Sequence, residues 1–316
     1  MRKLILVYNP SSSHYGGVEE AVLAPARQLK GWMVGKYAIK PTNFDDNVQS
    51  LARLMEDGDL VVVAGGDGTA AMAINGILRS GKQAVLGVLG FGNFNDIAGM
   101  LGERNLEGII SGYERGTLSE AYPLEVVVDG ELWRYALSYF TIGMFAESTE
   151  IFDSPKVRRK LQGGKKSRLF SIWQLAKWYF RKGKRNRLSA GALNGENWTV
   201  RATDYIALNS KTMAGVMRGG EWFLNGDEFL STVQELGSFH RLVKFMLRSM
   251  RERVPGVVSK GDVLKFAEPS AVELHAEGEH EKRDKVSEIV VRKANKALRV
   301  AILRYENRGG RCGGWS

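Results

Sequence analysis

Leu60-Val-Val-Val-Ala-Gly-Gly-Asp-Gly-Thr69 joins a Val-rich apolar run to three glycines and one carboxylate. The run Leu60 to Ala64 has the composition of a strand buried on both faces. Gly65, Gly66 and Gly68 allow a sharp turn and keep side chains out from between main chain and ligand. Ala70–Leu78 then reads as a helix. Strand, glycine turn and helix together aim amide N–H groups and a helix dipole at a phosphate. Asp67 stands apart, because a carboxylate repels phosphate. It suits a Mg²⁺ that bridges to phosphate, or a substrate hydroxyl; a capping aspartate in a tight structural turn is the alternative.

Outward from this stretch, strand and helix patterns alternate over the first 121 residues. Strands are expected at Leu4–Tyr8, Trp32–Ile39, Leu60–Ala64 and Ala84–Leu89. Helices are expected at Gly17–Leu29, Asp46–Met55 and Ala70–Leu78. This alternation predicts a Rossmann-like three-layer α/β domain around a parallel sheet. Ligands in such sheets lie beyond the carboxyl ends of the strands. Three loops there carry suitable groups: Asn9, Pro10, Ser11, Ser12 and Ser13; Gly65 to Thr69; and Gly90 to Asp96.

From Tyr122 the pattern changes to short strands, at Leu124–Val128, Trp133–Thr141, Trp198–Ala202, Tyr205–Leu208, Phe229–Val233, Ala271–His275, Glu288–Arg292 and Leu298–Leu303. They predict a mostly antiparallel β-sandwich domain over 122–305, with a basic helical insert at 156–187 and a flexible tail at 306–316. Helices are expected at Arg168–Arg181 and Phe239–Arg253.

The chain has 316 residues, 44% of them apolar, enough to build two cores. Its one cysteine, Cys312, excludes a disulfide framework and fits a cytoplasmic setting. No apolar run is long enough to span a bilayer. The net charge is +10, and Lys156 to Arg187 holds 13 Lys or Arg with no Asp or Glu. Such a block points to a polyanion, an anionic membrane or nucleic acid. Within it, Leu169, Ile172, Trp173, Ala176 and Phe180 share one helical face, widened by Trp178 and Tyr179. Basic ends with interfacial aromatics suit a helix lying on a membrane surface; a core helix over the β-sheet is the alternative, and Trp173 buried under a basic rim would combine them.

Gly90-Phe-Gly-Asn-Phe-Asn-Asp96 follows the strand after Gly-Gly-Asp-Gly-Thr. With both motifs in place, the chain resembles the diacylglycerol kinase catalytic-domain family, which includes bacterial lipid kinases and sphingosine kinases. The matching positions are Asn9, Pro10 and Ser11; Gly65 to Thr69; Asn75 and Gly76; and Gly92, Asn95 and Asp96. Glu277-Gly278-Glu279 resembles the family's Asp-Gly-Glu. The departures are Gly90 for a proline, Asn93 for a threonine, Ala71 and Met72 for Asn-Glu, and Glu277 for the aspartate.

The resemblance implies an ATP-dependent lipid kinase that phosphorylates a lipid hydroxyl, with ATP and Mg²⁺ as cofactors. It implies that Asn9, Pro10, Ser11, Ser12, Ser13, Thr42, Gly65, Gly66, Asp67, Gly68, Thr69, Gly92, Asn93 and Asn95 hold the nucleotide. Asp67 and Asp96 would organise Mg²⁺ or the acceptor, and Glu277 or Glu279 would take the acceptor's proton. Leu224, Asp227 and Phe229 would hold a structural Mg²⁺. The expected partner is a lipid at an anionic membrane surface, reached by peripheral association from the cytoplasm. A homodimer is compatible, and no nucleic-acid motif is present. Two other functions stay open, an NAD-kinase-like phosphotransferase and a non-catalytic lipid- or nucleotide-binding protein.

Overall fold

The computed structural model describes residues 2–12, 14–92, 95–102, 105–153, 157, 164–182, 187–198, 202–215, 217–219 and 224–301, with side chains for all but 150, 152, 153 and 164–172. Ser13, Asn93, the 306–316 tail, the side chains of Leu169 and Ile172, and much of the basic insert lie outside the described residues.

Among the described residues, six strands form the first sheet, in the order Trp32–Ala38, Arg2–Tyr8, Leu60–Gly65, Val85–Gly90, Leu298–Ala301 and Leu118–Ala121. All neighbours are parallel except the last pair. Leu60, Val61, Val62 and Val63 are fully buried and alternate between the two layers. Val61 and Val63 pack on Ile74 and Ile77 of the helix Asp67–Ser80. Leu60 and Val62 pack on Leu4, Leu6, Val18 and Val22 on the opposite face. Helices on both faces explain the unbroken apolar run.

Among the described residues, ten antiparallel strands form the second sheet. Its main path runs Val257–Ser259, Phe229–Gln234, Asp204–Leu208, Tyr139–Gly143, Gly261–Ala276, Glu279–Lys293, Leu124–Val128 and Glu131–Ala136. The pair Gly191–Leu193 and Glu196–Trp198 flanks Gly261–Ala276. Its core holds Trp133, Phe140, Tyr205, Phe229 and Leu274.

The structure redraws several sequence expectations. The helix after the glycine turn starts at Asp67 rather than Ala70, because Gly66 is extended and its carbonyl accepts from Ala70 N at 3.1 Å. The expected helix Gly17–Leu29 is Tyr15–Val18, a π turn at Glu19–Leu23, and Ala24–Ala26. Trp133–Thr141 is two strands, broken at Leu137 and Ser138. The C-terminal strand Leu298–Ala301 belongs to the first sheet, paired with Val85 and Leu86. Ala271–His275 and Glu288–Arg292 are parts of strands 16 and 15 residues long. Pro269 lies where the register between these strands shifts, since proline offers no ladder N–H. Trp173 is 57% exposed rather than buried, because Leu175, Trp178 and Tyr179 fill the inward face of the helix Gly164–Arg181. No helix among the described residues is long and apolar enough to cross a membrane.

Side-chain pairs join the two sheets. Buried Asn75 donates to Tyr135 O and accepts from Tyr135 N, both at 2.9 Å. Asn209 donates to the carbonyls of Tyr122 and Leu137, at 3.0 and 2.8 Å. Each such bond is worth about 1 kcal/mol net, and leaving the buried backbone groups unpaired costs about 1–3 kcal/mol.

Burial also pushes one carboxylate of the second sheet far from its ordinary behaviour. Asp204 rises to about 7, although Phe145 N donates to it at 2.6 Å and Thr203 Oγ1 at 2.7 Å. Its folded-state value exceeds the unfolded one, so its contribution is intact below the unfolded value and lost as pH rises through about 7. Asparagine can keep both contacts, because Thr203 Oγ1 can turn its proton to Gln234 O, 3.1 Å away. Asp204→Asn is therefore expected to stabilise the protein by a few kcal/mol at about pH 8 and to leave it nearly unchanged at about pH 4. Denaturant unfolding at the two pH values checks this.

Candidate active site

The carboxyl ends of the parallel strands bring three loops together. Asn9 Oδ1 accepts from Ser11 N at 2.9 Å and shapes the first loop. Ser12 Oγ donates to Phe91 O at 3.2 Å, which fastens that loop to the one after Val85–Gly90. Gly66 and Gly92 touch backbone to backbone. A Cβ on Gly92 would lie 2.4 Å from Gly66 Cα, so neither loop can close on the other with a side chain there. The helix Asp67–Ser80 has no side-chain cap at its start, which leaves its first-turn amides for an external anion.

Asp67 ties the second loop to the third. Its Oδ2 accepts from Asp96 N at 3.1 Å and its Oδ1 from Ile97 N at 3.0 Å. It thereby caps the helix Asp96–Leu101, which satisfies amides that helix leaves open. Asp96 in turn accepts from Thr212 Oγ1 at 2.8 Å and Gly215 N at 3.0 Å. Those donors belong to a hairpin whose strands are Thr212–Met213 and Met217–Arg218. Asn95 adopts φ 53° and spends its amide on Gly92, accepting from N at 2.7 Å and donating to O at 2.8 Å.

The second sheet supplies the remaining wall. Glu277-Gly278 is the turn between its two longest strands and, with Glu279, rests on Gly68. A Cβ on Gly68 would lie 3.1 Å from Glu279 Oε1 and 3.7 Å from Glu277 O. Glu277 is fully buried with φ 53°. Its carboxylate accepts from the amides of Ser138 and Leu137, the two residues at the strand break. Those amides leave the ladder to bind a carboxylate, while Asn209 takes the two carbonyls left behind. Glu277 Oε2 has no hydrogen-bond partner among the described residues. His275 Nε2 accepts from Gly278 N at 3.2 Å and holds the turn. Burial lowers His275 to about 3, so it serves as a neutral acceptor.

Three carboxylates therefore come together, Asp96 and Glu277 buried and Asp67 half-buried. Burial, then Asp67 and Asp96, push Glu277 well above the usual carboxylate range. Burial, then Asp96, raise Asp67 to about 6. Burial raises Asp96. The Tyr139 phenol beside them is pushed well up, first by burial and then by the same three carboxylates. No Lys or Arg among the described residues forms an ion pair with Asp67, Asp96 or Glu277.

This uncompensated charge fits a divalent cation. Among the described residues no group of three His, Cys, Asp or Glu could hold a metal unaided. Mg²⁺ commonly takes one or two carboxylates and completes its shell with phosphate and water, which suits Asp67 and Asp96 beside an anion-binding helix start.

Other expected site residues stand elsewhere. Thr42 follows the edge strand Trp32–Ala38 and accepts from Asn47 Nδ2 at 3.2 Å. Leu224 O accepts from Tyr122 N at 2.8 Å. Asp227 pairs with Lys260 at 2.8 Å on the surface, so a cation between Leu224, Asp227 and Phe229 would have to displace that ammonium. Sequence reasoning missed Leu137, Ser138, Tyr139, His275, Thr212 and Gly215. Four of them act through backbone amides or packing and leave no residue-type signature. Thr212 and His275 are polar but sit in no recognisable motif.

The family model described as diacylglycerol kinase catalytic domain matches residues 3–125. A diacylglycerol kinase of Staphylococcus carnosus (strain TM300) is 32% identical over 93 residues, 29% of this chain and 30% of the relative. A diacylglycerol kinase of Staphylococcus aureus (strain MRSA252) is 28% identical over 137 residues, 40% of this chain and 43% of the relative. These matches thus span less than half the length of either relative. A crystal structure titled as a diacylglycerol kinase of Bacillus anthracis (strain Sterne) superposes with a TM-score of 0.66 at 14% identity, covering 96% of this chain and 97% of that one. That likeness speaks for the fold across both sheets. With Gly-Gly-Asp-Gly-Thr, the Asn-Asp loop and the family model on the same strands, residues 3–125 resemble the diacylglycerol kinase catalytic domain.

Proposed function

We propose that this chain is an ATP-dependent lipid kinase, acting on a diacylglycerol or a similar lipid alcohol from the membrane surface. One observation carries the proposal: Asp67, Asp96 and Glu277 come from different loops and two sheets, yet converge beside an uncapped helix start. The boundary near residue 121 then separates a nucleotide-binding part from a β-rich lipid-binding part, with Leu298–Ala301 returning to the first.

In this proposal the amides of Asp67, Gly68 and Thr69 and the loop Asn9 to Ser12 bind the nucleotide phosphates. Asp67 and Asp96 would hold Mg²⁺, which would supply the positive charge the acid cluster lacks. Glu277 Oε2 takes the proton of the acceptor hydroxyl while that oxygen attacks the γ-phosphorus. The bond from the γ-phosphorus to the bridging oxygen breaks, and ADP keeps its electron pair. Most of the rate gain comes from positioning and charge stabilisation. Leu137 and Ser138 aim the base, and Asn95 keeps the Gly92 loop closed over Gly66. No step is assigned to Leu224, Asp227 and Phe229.

Purified protein incubated with γ-labelled ATP, Mg²⁺ and mixed micelles tests the proposal. Label is expected in a diacylglycerol or another lipid alcohol and not in NAD. Label in NAD alone would favour a soluble nucleotide kinase. ATP binding without transfer to any acceptor would favour a binding protein.

A further inference from the structure

The helix Phe239–Arg251 turns Leu242, Phe245 and Ser249 inward. Outward it shows Phe239, Val243 and Leu247, each four residues from the next and 38%, 37% and 48% exposed. His240, Arg241, Lys244, Arg248 and Arg251 lie along the adjoining arc, and the helix has no Asp or Glu. Arg241 pairs with Glu235 and Arg248 with Glu252. Lys244 and Arg251 make no ion pair among the described residues. The stripe continues onto the neighbouring helix Gly164–Arg181, where Phe180 packs tilted against Phe239 with ring centroids 4.7 Å apart. Phe180 is 54% exposed, and Lys177 Nζ lies 5.3 Å from the Trp173 ring centroid. Phe239, Val243, Leu247 and Phe180 thus form one exposed apolar patch edged by cations, with Trp173 exposed two turns away on the helix that carries Phe180.

We propose that this two-helix face docks on an anionic lipid bilayer, with Phe239, Val243, Leu247, Phe180 and Trp173 entering the headgroup–acyl boundary. Lys177, Arg181, Lys244 and Arg251 meet lipid phosphates around them. Charge complementarity selects an anionic partner, and the apolar stripe selects a bilayer over nucleic acid, which would leave that stripe in water. The face is tied to the acid cluster. Arg218 donates to Arg251 O at 3.3 Å, and Arg218 lies on the hairpin whose Thr212 binds Asp96. The proposal rests on the lipid-kinase reading for its purpose, but its test reads binding alone.

The protein is sedimented with vesicles of phosphatidylcholine, with and without phosphatidylglycerol. Wild type is expected to bind only the anionic vesicles, less in high salt, with a blue shift of fluorescence that Trp173→Phe diminishes. Val243→Glu with Leu247→Glu should weaken binding at least about tenfold, and Lys244→Ala with Arg251→Ala several-fold. Val257→Glu with Val258→Glu, on an exposed edge strand, should change nothing. All seven positions lie on the surface, and circular dichroism confirms that each variant is folded. Unchanged binding by the Val243/Leu247 variant, binding indifferent to lipid charge, or wild type that ignores vesicles in favour of nucleic acid or acidic protein would each overturn the proposal. Transfer that fails in a protein still sedimenting overturns the kinase reading and leaves docking standing.

Discussion

Glu277→Gln is expected to lower phosphoryl transfer about a thousandfold while leaving ATP affinity within a factor of two or so. Glutamine keeps the shape, and its carbonyl oxygen can accept from the Ser138 and Leu137 amides that now hold the carboxylate. What disappears is the oxygen without a protein partner, the one free to take a proton. The folded state should not suffer, because burial already makes the ionised form of Glu277 unfavourable. Melting temperature at neutral pH should hold or rise. Wild-type rate should climb with pH as the acid cluster ionises, whereas the residual rate of the variant should lose that climb. Single-turnover transfer across pH, with ATP affinity by calorimetry, checks both. Full activity in the variant would pass the base role to Glu279 or to solvent.

Asp67→Ala should be as damaging to transfer, on the order of a thousandfold, for a different reason. It removes the expected cation ligand and leaves the amides of Asp96 and Ile97 without their acceptor. Each lost acceptor costs about 1–3 kcal/mol. Against that, Asp67 sits near 6 in the folded state, raised above its unfolded value. A carboxylate raised in this way contributes its stability below about pH 4, and the contribution is lost as pH rises through about 6. Each tenfold change in proton affinity is worth about 1.4 kcal/mol, so the loss reaches roughly 3 kcal/mol above pH 6. The two effects oppose each other at neutral pH and not in acid. The variant should therefore melt clearly below wild type near pH 4 and close to it near pH 8. Added Mg²⁺ should raise the melting point of wild type and not of the variant. Melting curves at two pH values, with and without Mg²⁺, would expose a purely structural Asp67 as one whose removal costs the same everywhere and leaves Mg²⁺ effects intact.

Much of this was legible in residues 60–69 because two rules act there at once. A Val run buried on both faces specifies a central parallel strand, and glycines that follow it mark the ligand edge. The pairing of Gly66 with Gly92 and of Asp67 with the Asp96 helix was foreshadowed only by two motifs one strand apart. The return of Leu298–Ala301 to the first sheet was not legible, since four apolar-patterned residues fit an edge of either sheet. The break at Leu137 and Ser138 was hidden for a related reason: its function is carried by backbone amides, and side-chain patterning from Trp133 to Thr141 reads as one strand. Trp173 fits the surface-lying reading, whereas Trp178 and Tyr179, grouped with the same stripe, turn inward, because helical spacing groups residues by face without saying which face meets the core. Leu175, Trp178 and Tyr179 won that contest through the apolar wall of Phe145, Leu242 and Phe245.

The most direct test is a crystal structure of the Glu277→Gln variant with ATP and Mg²⁺. The nucleotide phosphates are expected on the first-turn amides of Asp67 to Thr69, with Mg²⁺ against Asp67 and Asp96 and the γ-phosphate facing residue 277 across Gly68. Phosphates bound away from that turn, or a γ-phosphate walled off from residue 277, would contradict a kinase site shared between the two sheets.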